Sequence, residues 1–178
     1  FDTGAGIAVD ASGNCYITGS FEAVATFSTT SLSNSSPSSY ADIFVAKYDS
    51  DGNLVWVRGT GAEFTSDTGE AIALDPAGNV LITGRSVQDT FGAAALTNLG
   101  RIFVAKYDNA GNPVWARKSG SFSGGTYDTG TGIGSDAAGN VYVTGTFLSP
   151  LADFGGVLLT NRGSGDVFLS KLDPAGTL

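Results

Sequence analysis

The triplet Asp-Thr-Gly stands at Asp2–Gly4, Asp67–Gly69 and Asp128–Gly130. Two such loops facing each other would let a pair of carboxylates share one proton and activate a water, which is aspartic-protease chemistry. Three copies are one too many for a dyad, and a motif this short matches readily by chance. The spacing predicts three turns, each entering a β-strand. Most other acids follow the same rule. Of fourteen Asp residues, eleven occupy recurring positions: Asp2, Asp67, Asp128; Asp10, Asp75, Asp136; Asp49, Asp108, Asp173; and Asp42, Asp166. Asp at a turn or strand end accepts hydrogen bonds from nearby backbone amides. A glycosidase needs two unlike carboxylates at one place. The irregular acids Asp51, Asp89, Asp153, Glu22, Glu63 and Glu70 are framed by no motif. A carboxylate-dependent hydrolase is therefore the third-ranked reading, and no catalytic residue is assigned.

The segment Asp49-Ser50-Asp51-Gly52-Asn53 has the oxygen-rich look of a calcium loop. Its Gly comes two residues early for an EF-hand, and Thr60 stands where the closing Glu belongs. Its equivalent, Asp108-Asn109-Ala110-Gly111-Asn112, lacks the middle carboxylate, so both are read as turns. No metal-binding or cofactor-binding residue is assigned, and no cofactor is expected. With no histidine in the chain, Ser-His-Asp and Cys-His machinery and ordinary zinc sites are excluded. Cys15 is the one cysteine and is aligned with Val80 and Val141, which predicts a buried spacer. Trp56 and Trp115 share one strand position and are assigned to core packing over sugar stacking.

These residues recur because the chain repeats. Asp10–Gly19 (DASGNCYITG) returns as Asp75–Gly84 (DPAGNVLITG) and Asp136–Gly145 (DAAGNVYVTG). Self-similarity at such a period marks a supersecondary unit, so repeats are expected over about 1–65, 66–126 and 127–178, the last incomplete. Each repeat reads as an apolar run, an Asp-to-Gly turn and a second strand. A weaker segment follows, with Phe27, Phe91 and Phe154 trailed by Leu32, Leu96 and Leu159 and by Asn34, Asn98 and Asn161. That is a short strand or hairpin arm. A variable connection comes next, longest in the Ser-rich loop 33–42, which contains the glycosylation sequon Asn34-Ser35-Ser36. Then come DIFVAKYD, RIFVAKYD and DVFLSKLD, and after another Asp-to-Gly turn NLVWVRGTG and NPVWARKSG. No helical period of useful length is present.

The third strands are apolar on both faces: Ile43 and Val45 on one, Phe44, Ala46 and Tyr48 on the other. Four-stranded antiparallel groups buried on both sides and repeated radially are propeller blades. The set D-x-x-G-N-x-Y-x-T-G, F-V-A-K-Y-D and G-N-x-x-W resembles the SBBP β-propeller repeat of bacterial secreted and surface proteins. It departs at Leu81, at FLSKLD and at the absent third Trp strand. The resemblance implies a propeller in an extracellular or cell-surface setting, with no catalytic motif to carry over. Lys47, Lys106 and Lys171 would line one side of each blade, toward a central channel, or snorkel from the sheet.

Three blades do not close a ring, since propellers use about four to eight. An open face of roughly 300 Å² costs about 7 kcal/mol at ~25 cal/mol/Å². The chain opens without Met and stops before a Trp strand, so it reads as part of a larger propeller, ahead of a self-closing homo-oligomeric ring. The net charge of −8 excludes a phosphate-backbone partner, and no apolar run is long enough for membrane insertion. The leading expectation is a non-catalytic structural or interaction module serving adhesion, assembly or display, its partner a protein or further blades. The alternative is a carbohydrate-binding propeller, with glycan held by loop aromatics such as Tyr40, Phe64 or Tyr127.

Overall fold

In the computed structural model, residues 1–34, 40–61, 65–87, 90–91, 94–95, 100–121 and 127–178 are described. Among them the chain is all β. The first repeat forms β1 (Thr3–Val9), β2 (Cys15–Glu22), β3 (Val24–Phe27), β4 (Thr30–Ser33), β5 (Ala41–Tyr48) and β6 (Leu54–Thr60). Its main sheet is antiparallel in the order β1-β2-β5-β6, and β3 and β4 pair as a separate hairpin. The second repeat forms β7 (Thr68–Leu74), β8 (Val80–Arg85), β9 (Thr90–Phe91), β10 (Ala94–Ala95), β11 (Ile102–Tyr107) and β12 (Pro113–Ser119). Its sheet, β7-β8-β11-β12, repeats the first, with β9 and β10 as the inserted hairpin. The third contains β13 (Thr129–Ser135), β14 (Val141–Phe147), β15 (Leu151–Phe154), β16 (Val157–Thr160) and β17 (Asp166–Leu172). Here the sheet has three strands, β13-β14-β17, and β17 is an open edge. Each sheet is a propeller-type blade. No helix among the described residues is long and apolar enough to cross a membrane.

The six Asp-x-x-Gly turns are one structure built six times. The Oδ1 of Asp10, Asp49, Asp75, Asp108, Asp136 and Asp173 accepts from the N–H groups two and four residues on, at 2.8–3.0 Å. In the first five, Oδ2 takes the side-chain amide of the closing Asn. The Gly of each turn has φ between 79° and 83°, a left-handed value that a Cβ would strain. Hydrogen bonds to the ionised carboxyl hold Asp10, Asp49, Asp108 and Asp136 below the usual carboxylate range, Asp136 at about 2, the Asn amide contributing most. Asp49, read as a turn in the sequence, already has both oxygens occupied by amide donors.

Inside each blade, a Thr on the second strand gives its hydroxyl to the third-strand Phe carbonyl: Thr18 to Phe44, Thr83 to Phe103 and Thr144 to Phe168, at 2.6–2.8 Å. The inserted hairpin brings a further Phe onto that Phe. Ring centroids lie 4.9 Å apart for Phe27 and Phe44, 4.5 Å for Phe91 and Phe103, and 4.7 Å for Phe154 and Phe168. The recurring Phe of the weak segment is thus a hairpin arm covering its own blade. Leu96 and Asn98 lie outside the described residues.

Successive blades stack. Strand β7 lies against β1 and β2, and β13 lies against β7 and β8. One apolar cluster, around Ile43, Val45, Ile72, Val80 and Phe103, fills the first seam. A second, around Ile102, Val104, Val141, Phe147 and Phe168, fills the next. Strands β5 and β11 are buried on both faces, as the sequence predicted. Strand β17 alternates buried with exposed, because no blade among the described residues covers its far face.

Candidate functional site

The Asp-Thr-Gly triplets lie where each blade begins. Thr and Gly already belong to the first strand, which carries a bulge just beyond them, and the Asp stands just before that strand in irregular backbone and not in the turn that the sequence predicted. Its carboxylate ties that start to the end of the second strand, accepting from Glu22 N for Asp2, Val87 N for Asp67 and Leu148 N for Asp128. The last two are fully buried. Asp128 also accepts from Ser149 N, Ser149 Oγ and Ser121 N. The Gly permits blade contact: a Cβ on Gly69 would come within 2.5 Å of Thr18 Oγ1, and one on Gly130 within 2.2 Å of Thr83 Oγ1. The motif therefore positions and packs.

At the opposite strand ends, the outermost strand of one blade grips the next blade's turn. Trp56 Nε1 donates to the Asn109 carbonyl at 3.0 Å, and Trp115 Nε1 to that of Pro174 at 3.1 Å. Two residues on, Arg58 Nε donates to Gly111 O and its Nη2 to Ala110 O, at 2.9 and 3.3 Å. Arg117 repeats this on Gly176 O and Ala175 O, at 2.8 and 3.2 Å. Each guanidinium lies beside its own indole, 5.6–5.7 Å from the ring centroid. The ring rests on the turn Gly, where a Cβ on Gly111 or Gly176 would come within 2.7–2.8 Å of it. The tryptophans are core residues, as predicted, and also hydrogen-bonding clamps.

The lysines take a place that the sequence left open. Lys47 and Lys106 are buried in the seams, while Lys171 is exposed on the third blade. The first two line one side of their blades, the side packed against the next blade, and do not snorkel to solvent. Lys47 Nζ lies over the Tyr16 ring at 5.1 Å and donates to Asn109 Oδ1 of the next blade. In the second blade Leu81 replaces that tyrosine, and Lys106 reaches Asp75 directly at 2.8 Å. Burial raises the Asp75 carboxyl, but the Lys106 and Asn79 hydrogen bonds outweigh it and hold the group below the usual range.

Other candidate residues are scattered. Cys15 is only half-buried, whereas Val80 and Val141 are fully buried; its side faces where a preceding blade would stand. Glu22 accepts from the Phe1 amino group, Asp153 from Gly156 N, and Asp51 is exposed on its turn. Glu63, Phe64, Asp89 and the sequon residues Ser35 and Ser36 lie outside the described residues. Asn34 donates its side-chain amide to the Tyr40 carbonyl, and the exposed Tyr127 ring already faces Arg85 at 5.0 Å. Among the described residues no group of three His, Cys, Asp or Glu side chains could hold a metal.

The carboxylates that do interact are Asp42 and Asp67, both recurring and both buried. Burial and then the Asp67 charge push Asp42 up to about 6. Asp67 is held by Val87 N and Thr65 Oγ1, while Asp42 Oδ1 is buried without a hydrogen-bond partner. The pair was not foreseen, because position 42 alternates Asp, Arg101 and Asp166 along the chain, and only a folded seam reveals what it meets.

Residues 55–87, from the first Trp strand through the second strand of the next blade, match the SBBP β-propeller repeat. A curated relative, an uncharacterized WD repeat-containing protein of Acanthamoeba polyphaga mimivirus, is 27% identical over 141 residues. That match covers 64% of this chain and 10% of the relative, so the chain spans about a tenth of the length of the protein it matches.

Proposed function

We propose that this chain is a non-catalytic structural module whose work is protein contact, carried by a secreted or surface-attached bacterial protein and serving adhesion, assembly or display. One observation carries the reading: the recurring Trp, Arg and first two Lys side chains act at blade seams, and the same seam faces are open on the outer blades. Ile7 is 67% exposed where its equivalent Ile72 is 8% exposed, and Val167 is 79% exposed where Ile43 is fully buried. Contiguous exposed apolar surface of this kind marks a contact face, for a protein partner or for further blades of the same protein. The SBBP-type repeat and the WD-repeat relative support an interaction module. No specific observation favours the glycan-binding or hydrolase alternatives.

Light scattering with an apolar-surface dye tests the proposal. The purified chain is expected to associate above its 18.0 kDa mass, or to bind dye strongly as a monomer. A monodisperse monomer silent to the dye would sink the reading.

A further inference from the structure

Lys47 and Lys106 hold the same place on their strands and are both buried, but only one of them has a counter-charge. Lys106 meets the Asp75 carboxylate at 2.8 Å. Among the described residues Lys47 forms no ion pair. Its ammonium has the Tyr16 ring and the Asn109 amide oxygen, which carry only partial negative charge. Asp10, the counterpart of Asp75, accepts from the Tyr16 hydroxyl at 3.1 Å and is not joined to Lys47. A buried cation without an anion is costly, and of the three N–H donors on Lys47 the Asn109 bond accounts for one.

Arg58 adds a second charge without a carboxylate. Its guanidinium donates only to backbone carbonyls, those of Val57, Ala110 and Gly111. Asp108 feels that charge, but its oxygens are filled by amides of its own turn. Both cations line one groove. It measures about 710 Å³, within the usual range for a ligand site, and is bounded by Lys47, by Val55 to Arg58 of β6, by Thr30 of the inserted hairpin and by Asn109 and Ala110 of the next turn. Side chains alternate across a strand, so a groove touching four consecutive residues runs along the strand's edge. That edge is open: β6 ends the order β1-β2-β5-β6, and Val55 stands exposed on it. An unpaired edge offers backbone donors and acceptors at the spacing of an extended peptide.

We propose that this groove binds an extended acidic segment of a protein partner. One Asp or Glu carboxylate of the segment accepts from Lys47 Nζ and the Arg58 guanidinium, and its backbone pairs along β6. In a chain of net charge −8, two cations without carboxylates make this groove a local exception that selects an anion. The proposal rests on the protein-contact reading and names the partner's chemistry at a site whose walls, the first blade and the second, are both present.

The probe is the capped pentapeptide acetyl-Val-Thr-Glu-Val-Thr-amide, titrated into the isotope-labelled chain beside the same peptide with Gln in place of Glu. The Glu peptide is expected to saturate with a Kd below about 1 mM, shifting Lys47 and Val55 to Arg58, and the Gln peptide to bind about tenfold more weakly. Tyr16→Leu copies Leu81 and frees Lys47 to reach Asp10 as Lys106 reaches Asp75. Val55→Glu, at an exposed position that leaves the fold intact, sets a carboxylate at the groove itself. Each substitution is expected to erase the preference for Glu. Four results overturn the site: no saturation up to about 1 mM, equal affinity for the two peptides, a Glu preference that survives both substitutions, or saturation by trigalacturonate in place of the peptide. Any of these beside strong self-association or dye binding removes the groove while leaving the protein-contact reading in force. A failed titration with a monodisperse, dye-silent chain removes both.

Discussion

The first two blades are nearly the same sheet in different company. Each has four antiparallel strands in the same order, the same Asp turns and the same Thr-to-Phe bond across its middle. They differ in what stands before them. Ile72, Val80 and Phe103 of the second blade are sealed by the first, whereas Ile7, Val9 and Cys15 of the first meet no preceding blade among the described residues. Phe44, the partner of Phe103, is nevertheless buried, because Phe27 of the inserted hairpin covers it. A blade therefore shields its centre by itself and depends on a neighbour for its inner strand and its turns.

The comparison can be broken at four depths. The largest effect is expected for Phe103→Ala, which empties a fully buried ring site and should cost about 3–5 kcal/mol in denaturant unfolding. Leu169→Ala, on the open face of the third blade, should stay within about 0.5 kcal/mol. Next, Asp128→Ala leaves four donors without their acceptor and should cost roughly 2–4 kcal/mol. Asp2→Ala removes one exposed contact and should cost under about 1 kcal/mol. Equal losses at Asp2 and Asp128 would mean that the seam adds nothing to the tether.

A finer cut compares Gly111→Ala with Gly52→Ala. Both strain the same left-handed backbone by about 1 kcal/mol, but only the first drives a methyl into a tryptophan, adding roughly 1–3 kcal/mol. If the two midpoints shift alike, the clamp contributes little.

The smallest effect concerns pH. Asp42 titrates near 6 in the folded chain and near 3.8, the ordinary aspartate value, when unfolded. Between those values the folded state holds more protons, so this group makes stability fall as pH rises from about 4 to about 6. Asp42→Asn should flatten that slope. The turn carboxylates act in the opposite sense: Asp136, lowered to about 2, stabilises above its unfolded value and loses that contribution as pH falls from about 4 toward 2. A slope across pH 4–6 that the Asn variant leaves unchanged would remove Asp42 as its source.

Much of the architecture was legible because local chemistry repeats with it. Asp-x-x-Gly-Asn specifies its turn from its own side chains, and two-sided apolar strands specify neighbours. The segment marked by Phe27, Phe91 and Phe154 and their trailing Leu and Asn read as a short strand or hairpin arm, and it is a hairpin. What stayed hidden depends on which face meets which blade. The lysines recur visibly, yet their burial is decided by Asn109 and Pro174, some 60 residues away. Leu81 reads as a lapse in the repeat until Lys106 is seen to use the room it leaves to reach Asp75. The clamp had a signal that went unused, since Arg follows each Trp by two residues at Arg58 and Arg117.

The clamp also has a direction. In both seams the donors, indole and guanidinium, belong to the earlier blade, and the acceptor carbonyls to the later one. The second blade is therefore a plug on one side and a socket on the other. Two copies meeting through the same face would set socket against socket and form no such bond. Joining by this device is heterologous: it runs head to tail, plug to socket, and cannot be isologous.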